Sequence, residues 1–150
     1  MQNFLIRPAH ASEKSELEAL QLRASLANAG DREAMLAHPD AIELPDEQIA
    51  NGRVFVAEWN ATIAGFAAVD PRPDGETELD GLFVEPTMMR RGFGRLLVEY
   101  CAEVARGRGS TVLHVVGNPH AEDFYLQCGF IQFGKTSTRF GVGLLMRKML

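Results

Sequence analysis

A chain of 150 residues, 46% hydrophobic and 23% charged, has the size and balance of one globular domain, which excludes fibrous, collagenous and extensively disordered chains. A formal charge of −5 argues against a general nucleic-acid binder, which needs a basic surface. No apolar run approaches the roughly 20 residues that span a bilayer, so no membrane partner is expected.

The opening MQNFLIRP reaches Arg7 and Pro8 before any leader-like apolar segment forms, which predicts a cytoplasmic protein. Cys101 and Cys128 lie far apart within apolar helical patterns, as reduced core thiols do, and no metal-ligand spacing occurs. Phe4–Arg7 reads as a strand stopped by Pro8. Ser12 to about Asn28 reads as a helix, with Ser12 as N-cap, a Ser15/Glu18 capping box, an apolar stripe of Leu17, Leu20, Ala24 and Ala27, and Gly30 as its stop. The acidic stretch 31–52, broken by Pro39 and Pro45, holds one or two short helices such as Asp46–Asn51. Val54–Trp59 and Thr62–Val69 flank a polar break at Asn60-Ala61 and should pair as an antiparallel hairpin, with Trp59 read as packing. Thr77–Val84 is a third strand.

Over residues 91–106, Phe93, Leu96, Leu97, Tyr100, Cys101 and Val104 form a helical stripe ended by Gly107 and Gly109. Val112–Val116 then runs parallel to Thr77–Val84 if that helix is a crossover. Asn118-Pro119 supplies an N-cap and N1 proline for a helix that closes at Gly129, and strands near Phe130–Lys135 and Val142–Lys148 finish the chain. The expectation is a single α/β (α+β) domain over residues 1–150, with a mixed, mostly antiparallel sheet, a parallel pair near its middle and flanking helices.

Gly92 and Gly94 fall where a strand has ended and a helix begins, so backbone N–H groups there face outward beside the helix's positive pole. Arg90, Arg91 and Arg95 add charge, and an anion such as a diphosphate fits. A glycine-loosened helix start with solvated arginines fits the same pattern. A dinucleotide fingerprint would need a third glycine at Leu97, and no Walker loop occurs, so neither of those phosphate-binding modes applies.

The run Leu79-Asp80-Gly81-Leu82-Phe83-Val84-Glu85-Pro86 followed by Arg91-Gly92-Phe93-Gly94-Arg95-Leu96-Leu97 resembles the cofactor motif of the GNAT superfamily of acyl-CoA-dependent N-acyltransferases. Asn118-Pro119-His120-Ala121 and Phe124-Tyr125-Leu126-Gln127-Cys128-Gly129-Phe130 resemble its second motif, and the element order is similar from end to end. The family's Gln/Arg position falls on Met89, and Arg90 stands where glycine is frequent. The resemblance implies a GNAT fold whose parallel pair splays at the sheet's centre, with acetyl-CoA as co-substrate and no metal. It assigns the diphosphate to the loop of Met89, Arg90, Arg91, Gly92, Phe93, Gly94 and Arg95, and the pantetheine arm to the main chain of Leu82, Phe83 and Val84.

Within this resemblance Tyr125 is the general acid, and Asn118 is either a cofactor contact or simply an N-cap. A phenol near pKa 10 facing a thiolate whose acid is near 8.5 is uphill by about 1.5 units, roughly 2 kcal/mol, which a positioned donor supplies. Tyr125 as a core residue packed on the Ala121/Cys128 face is the competing reading. Asp80 and Glu78 share strand parity with Leu82 and Val84, and either is a candidate base, with Asp80 preferred. Both also suit binding of the substrate's ammonium group. His114 either lines the acceptor pocket or is a satisfied core histidine. The resulting expectation is an N-acetyltransferase acting on a primary amine of a small metabolite by direct attack in a ternary complex. A protein or peptide acceptor and a non-catalytic CoA-binding module are the alternatives, and the hairpin over 130–148 is a possible homodimer contact.

Overall fold

The computed structural model describes residues 4–150; the Met1–Asn3 part of the opening read above for a leader lies outside the described residues. Among the described residues seven strands form a mixed sheet in the order β1-β2-β3-β4-β5-β7-β6, where β1 is Phe4–Pro8, β2 Val54–Trp59, β3 Thr62–Pro71, β4 Thr77–Val84, β5 Val112–Gly117, β6 Phe130–Thr138 and β7 Gly141–Met149. Helices α1 (Lys14–Ala27), α2 (Ala29–Ala37), α3 (Asp46–Ala50), α4 (Phe93–Gly107) and α5 (Glu122–Gln127) complete the expected α+β plan. The chain divides into two compact units, Met1–Ala68 with Gly81–Leu97, and Val69–Asp80 with Val98–Leu150.

In the first unit, β2 pairs antiparallel with β1 and with β3. Asn60 and Ala61 both adopt left-handed backbones, φ 53° and 63°, as a two-residue primed turn requires. The core gathers Leu17 and Leu20 of α1, Ile49 of α3, Val54 and Val56 of β2, and Phe66 and Ala68 of β3, with Phe83 packed against it. Ala24 of α1 is also buried, whereas Ala27, expected on the same stripe, is exposed at the end of the helix.

Two sequence expectations are corrected here. The capping box forms at His10 and Glu13, in a 3-10 turn before α1, rather than at Ser12 or at Ser15 and Glu18. Arg7 grips the Glu13 carboxylate through two hydrogen bonds of 3.0 and 2.7 Å, while Glu18 accepts the backbone N–H of Leu44 instead. Nor does Gly30 stop a helix: the break is at Asn28, whose carbonyl accepts the N–H groups of Asp31 and Arg32 to start α2, which runs through Gly30.

In the second unit, β5 pairs antiparallel with β7, and β7 with β6. The parallel ladder of β4 and β5 joins Thr77, Glu78 and Leu79 to Leu113, His114 and Val115. Its start is fastened by polar contacts: the Glu76 carboxylate accepts the N–H groups of Thr111 and Val112 at 2.8 and 2.7 Å, and the Thr77 and Ser110 hydroxyls meet at 2.8 Å in a buried pair. Along α4 the buried apolar residues are Phe93 and Leu97 in the first unit and Val98, Cys101, Ala102 and Ala105 in the second. This stripe is rotated from the expected one, leaving Leu96, Tyr100 and Val104 at its half-buried margin.

Candidate active site

The loop into α4 belongs to the first unit. β4 ends at Val84, and the next residue is anchored twice: the Glu85 N–H donates to Ala64 at 2.8 Å, and its carboxylate takes a two-point grip from Arg23 at 2.9 and 2.7 Å. A 3-10 turn over Pro86–Met88 follows, then an extended Met89. Arg90 and Gly92 are both left-handed, φ 65° and 89°. A Cβ at Gly92 would meet nothing within 4 Å, so glycine serves conformation there rather than space. The first helical bond of α4 joins the Leu96 N–H to Gly92 at 3.0 Å, and the N–H groups of Phe93, Gly94 and Arg95 therefore precede the helical ladder at its positive end.

Met89, Arg90, Arg91 and Arg95 are exposed around this helix start, while Phe93 is buried. Arg91 is seated on the face of Trp59, its guanidinium carbon 5.2 Å from the ring centroid. No local pattern announced this contact, because the two residues lie on different elements 32 positions apart.

Leu82, Phe83 and Val84 are half-buried on β4. The Phe83 ring packs on Phe66 at 5.3 Å, which fixes the strand against the core. β3 approaches this stretch closely at Gly65, where an added Cβ would fall 2.6 Å from the Phe83 carbonyl oxygen.

The remaining candidates lie in the second unit. Glu78 is half-buried, and its carboxylate is held by Arg72 at 3.0 Å, while Arg72 also bonds Asp74 at 3.2 Å. Asp80, two residues along the same strand, is exposed. His114 stands opposite Glu78 in the β4–β5 register, edge-on to Phe133 with centroids 6.1 Å apart. Burial, aided by the Arg72 charge and opposed by Asp74, Glu78 and Glu76, lowers its pKa and favours the neutral ring.

Tyr125 on α5 is half-buried rather than a core residue. Its ring meets Phe124 and Phe130 edge-on at 5.2 and 5.4 Å, and a Cβ at Gly117 would come within 3.1 Å of it. Three neighbours thus set the direction of the phenol. Asn118 occupies the N-cap position of the Pro119–Ala121 turn, but its side chain makes no capping hydrogen bond, so capping does not account for this residue.

The chain belongs to the acetyltransferase (GNAT) family, whose sequence model matches residues 20–130. Its class of activity is therefore acetyl-CoA-dependent N-acetylation. Among curated proteins none matches the sequence. Among solved structures, a GCN5-related N-acetyltransferase from Rhodopseudomonas palustris superposes with TM-score 0.78 at 21% identity, covering 100% of this chain and 98% of the other. The PaiA N-acetyltransferase of Thermoplasma acidophilum, solved with coenzyme A, gives 0.78 at 16% identity over 98% and 99% of the two chains. Ribosomal-protein-alanine N-acetyltransferase from Brucella melitensis gives 0.71 at 25% identity over 97% and 99%.

Proposed function

We propose that this chain transfers the acetyl group of acetyl-CoA to the primary amine of a small metabolite, by direct attack in a ternary complex. The observation that carries the reading is the left-handed turn at Gly92 opening α4, which turns backbone N–H groups and a positive helix end toward the place where exposed arginines gather. In this reading Met89 to Arg95 hold the coenzyme's diphosphate, the main chain of Leu82 to Val84 holds the pantetheine arm, and one N–H there faces the thioester oxygen. Asn118 adds a cofactor contact.

The amine nitrogen forms a C–N bond, the C–S bond breaks, and the charge that builds on the carbonyl oxygen is met by the backbone donor. Asp80 accepts the amine proton directly or through water. Glu78 suits that task less well, since Arg72 already occupies its carboxylate. Tyr125 returns a proton to the departing thiolate. Burial pushes the Cys101 thiol up to about 12 and Cys128 is buried too, which favours direct attack over an acyl-cysteine intermediate.

Thiol release from acetyl-CoA over a panel of small amines and short peptides tests this. Turnover with small amines is expected, and Tyr125→Phe should cut kcat by about 10²–10⁴-fold, the span typical of a lost general acid. Likeness to the ribosomal-protein-alanine enzyme favours a second reading, an N-terminal peptide acceptor, which predicts turnover with peptides alone. Tight coenzyme binding without turnover on any amine would instead mark a regulatory module.

A further inference from the structure

Trp59 ends β2, paired with Phe4 of β1 and Thr62 of β3. Its ring lies 6.0 Å from that of Phe93, the first residue of α4, and Phe93 stacks in turn on Phe4 at 5.8 Å. Phe93 is buried at 2% exposure, so this aromatic file is tied to the rigid start of the helix. Arg91 closes the file, its guanidinium over the indole at 5.2 Å.

An exposed arginine in a loop with left-handed residues on either side would ordinarily sample many rotamers, and ordering it on ligand binding costs affinity. Stacking removes part of that cost. A guanidinium that lies over a ring keeps its five N–H donors at the edge of its own plane, available to phosphate oxygens. A lysine ammonium has no such division between a stacking face and a donating edge.

We propose that Trp59 is a positioning residue for the coenzyme: it seats Arg91 beside the start of α4, so that the guanidinium meets the diphosphate already oriented. This inference rests on the coenzyme reading above and adds to it the residue that sets the loop's charge in place. In this role Trp59 acts through Arg91. It is also the chain's single tryptophan, so its emission reports on Arg91 without interference from another indole.

The test is a titration with coenzyme A followed by calorimetry and tryptophan fluorescence, on the wild type, Arg91→Lys, Trp59→Leu and Trp59→Phe. Wild type should show a saturable emission change with the same midpoint as the heat. In Arg91→Lys most of that change should vanish and binding should weaken severalfold. Trp59→Leu should raise the KM for acetyl-CoA about two- to fivefold, the effect of one exposed cation–π contact, with kcat held. Trp59→Phe, which keeps an aromatic face, should recover most of the affinity, an outcome that a merely structural role for the ring does not predict. Calorimetric binding with no emission change in the wild type, or Trp59→Leu binding as tightly as the wild type, overturns the positioning role and leaves the coenzyme reading intact. Absence of calorimetric binding in the wild type overturns both.

Discussion

Replacing Gly65 by alanine should weaken the protein through a contact that glycine alone permits. The added Cβ would fall 2.6 Å from the Phe83 carbonyl oxygen, 3.2 Å from the Val84 Cα and 3.4 Å from a Leu97 methyl. The first of these is about 0.8 Å short of the 3.4 Å at which ordinary contact begins, and the offending atom is backbone that cannot rotate away. β4 cannot withdraw cheaply either, since Phe83 is packed on Phe66 and the Glu85 N–H is bonded to Ala64. Overpacking of this kind costs about 1–3 kcal/mol, and the entropy that alanine removes from the unfolded chain returns about 0.4–1 kcal/mol. A net loss of up to about 2.6 kcal/mol follows, about 1.3 kcal/mol at the middle of both ranges, which at a urea m-value of about 2 kcal/mol/M lowers the midpoint by roughly 0.6 M with m unchanged. Because the strained stretch is the one assigned to the pantetheine arm, the KM for acetyl-CoA should rise as well. Urea unfolding followed by circular dichroism reads the first effect directly. An unchanged midpoint would show that the approach of β3 to β4 is not a constraint and would remove this explanation of Gly65.

Ala61→Gly should stabilise the β2–β3 turn: a non-glycine residue in the left-handed region costs about 1–2 kcal/mol, of which the greater freedom of unfolded glycine takes back about 0.5–1 kcal/mol. Calorimetry should show a higher Tm, by about 1–4 °C for a chain of this length, and a lower Tm contradicts the turn geometry. The hydrogen bonds from Arg7 hold the Glu13 carboxyl down to about 2, so its contribution is complete above the unfolded value near 4.5 and disappears as pH falls toward 2. Glu13→Gln should therefore cost about 1–2 kcal/mol at pH 7, a difference from the wild type that closes in acid; a gap that persists at pH 2 places the effect elsewhere. Both buried thiols should resist Ellman's reagent in the native state and react together in urea, whereas one fast native thiol would reopen the acyl-cysteine route.

Much of this architecture was legible because the signals were local. Two β-rich runs, 54–59 and 62–69, around a two-residue polar break predict the hairpin that forms, and the strand, helix, strand run from 77 to 116 predicts the parallel pair. Where the sequence reading departs from the structure, distant partners decided. Glu13 caps at His10 in a position stabilised by Arg7, which also reaches Glu58 on the neighbouring strand β2, and no spacing rule sees that pairing. The start of α2 was misplaced because Gly30 resembles a stop, while the bonds to Asn28 restart the helix just before it. In α4, Ala102 and Ala105 are buried while Tyr100 lies at the margin, so the buried stripe runs through small residues that an apolar-periodicity reading passes over.

At the candidate site the motif glycines were visible as such, but the engagement of Glu78 by Arg72 and of Arg91 by Trp59 depends on which strand lies beside which. Sequence spacing nominates both carboxylates with Asp80 preferred, and the fold adds that Arg72 engages Glu78. The same contacts make the Arg90 and Arg91 pair unequal: one lies in a left-handed backbone on the loop's outer side, and the other is held against a ring.

The proposed grip on the coenzyme's diphosphate is the turn into α4. Isothermal calorimetry of acetyl-CoA into the purified chain, at low and raised salt, measures it most directly. Saturable binding of one coenzyme per chain is expected, weakening as salt screens the arginines and the helix end. Heat that never saturates at either ionic strength would contradict it.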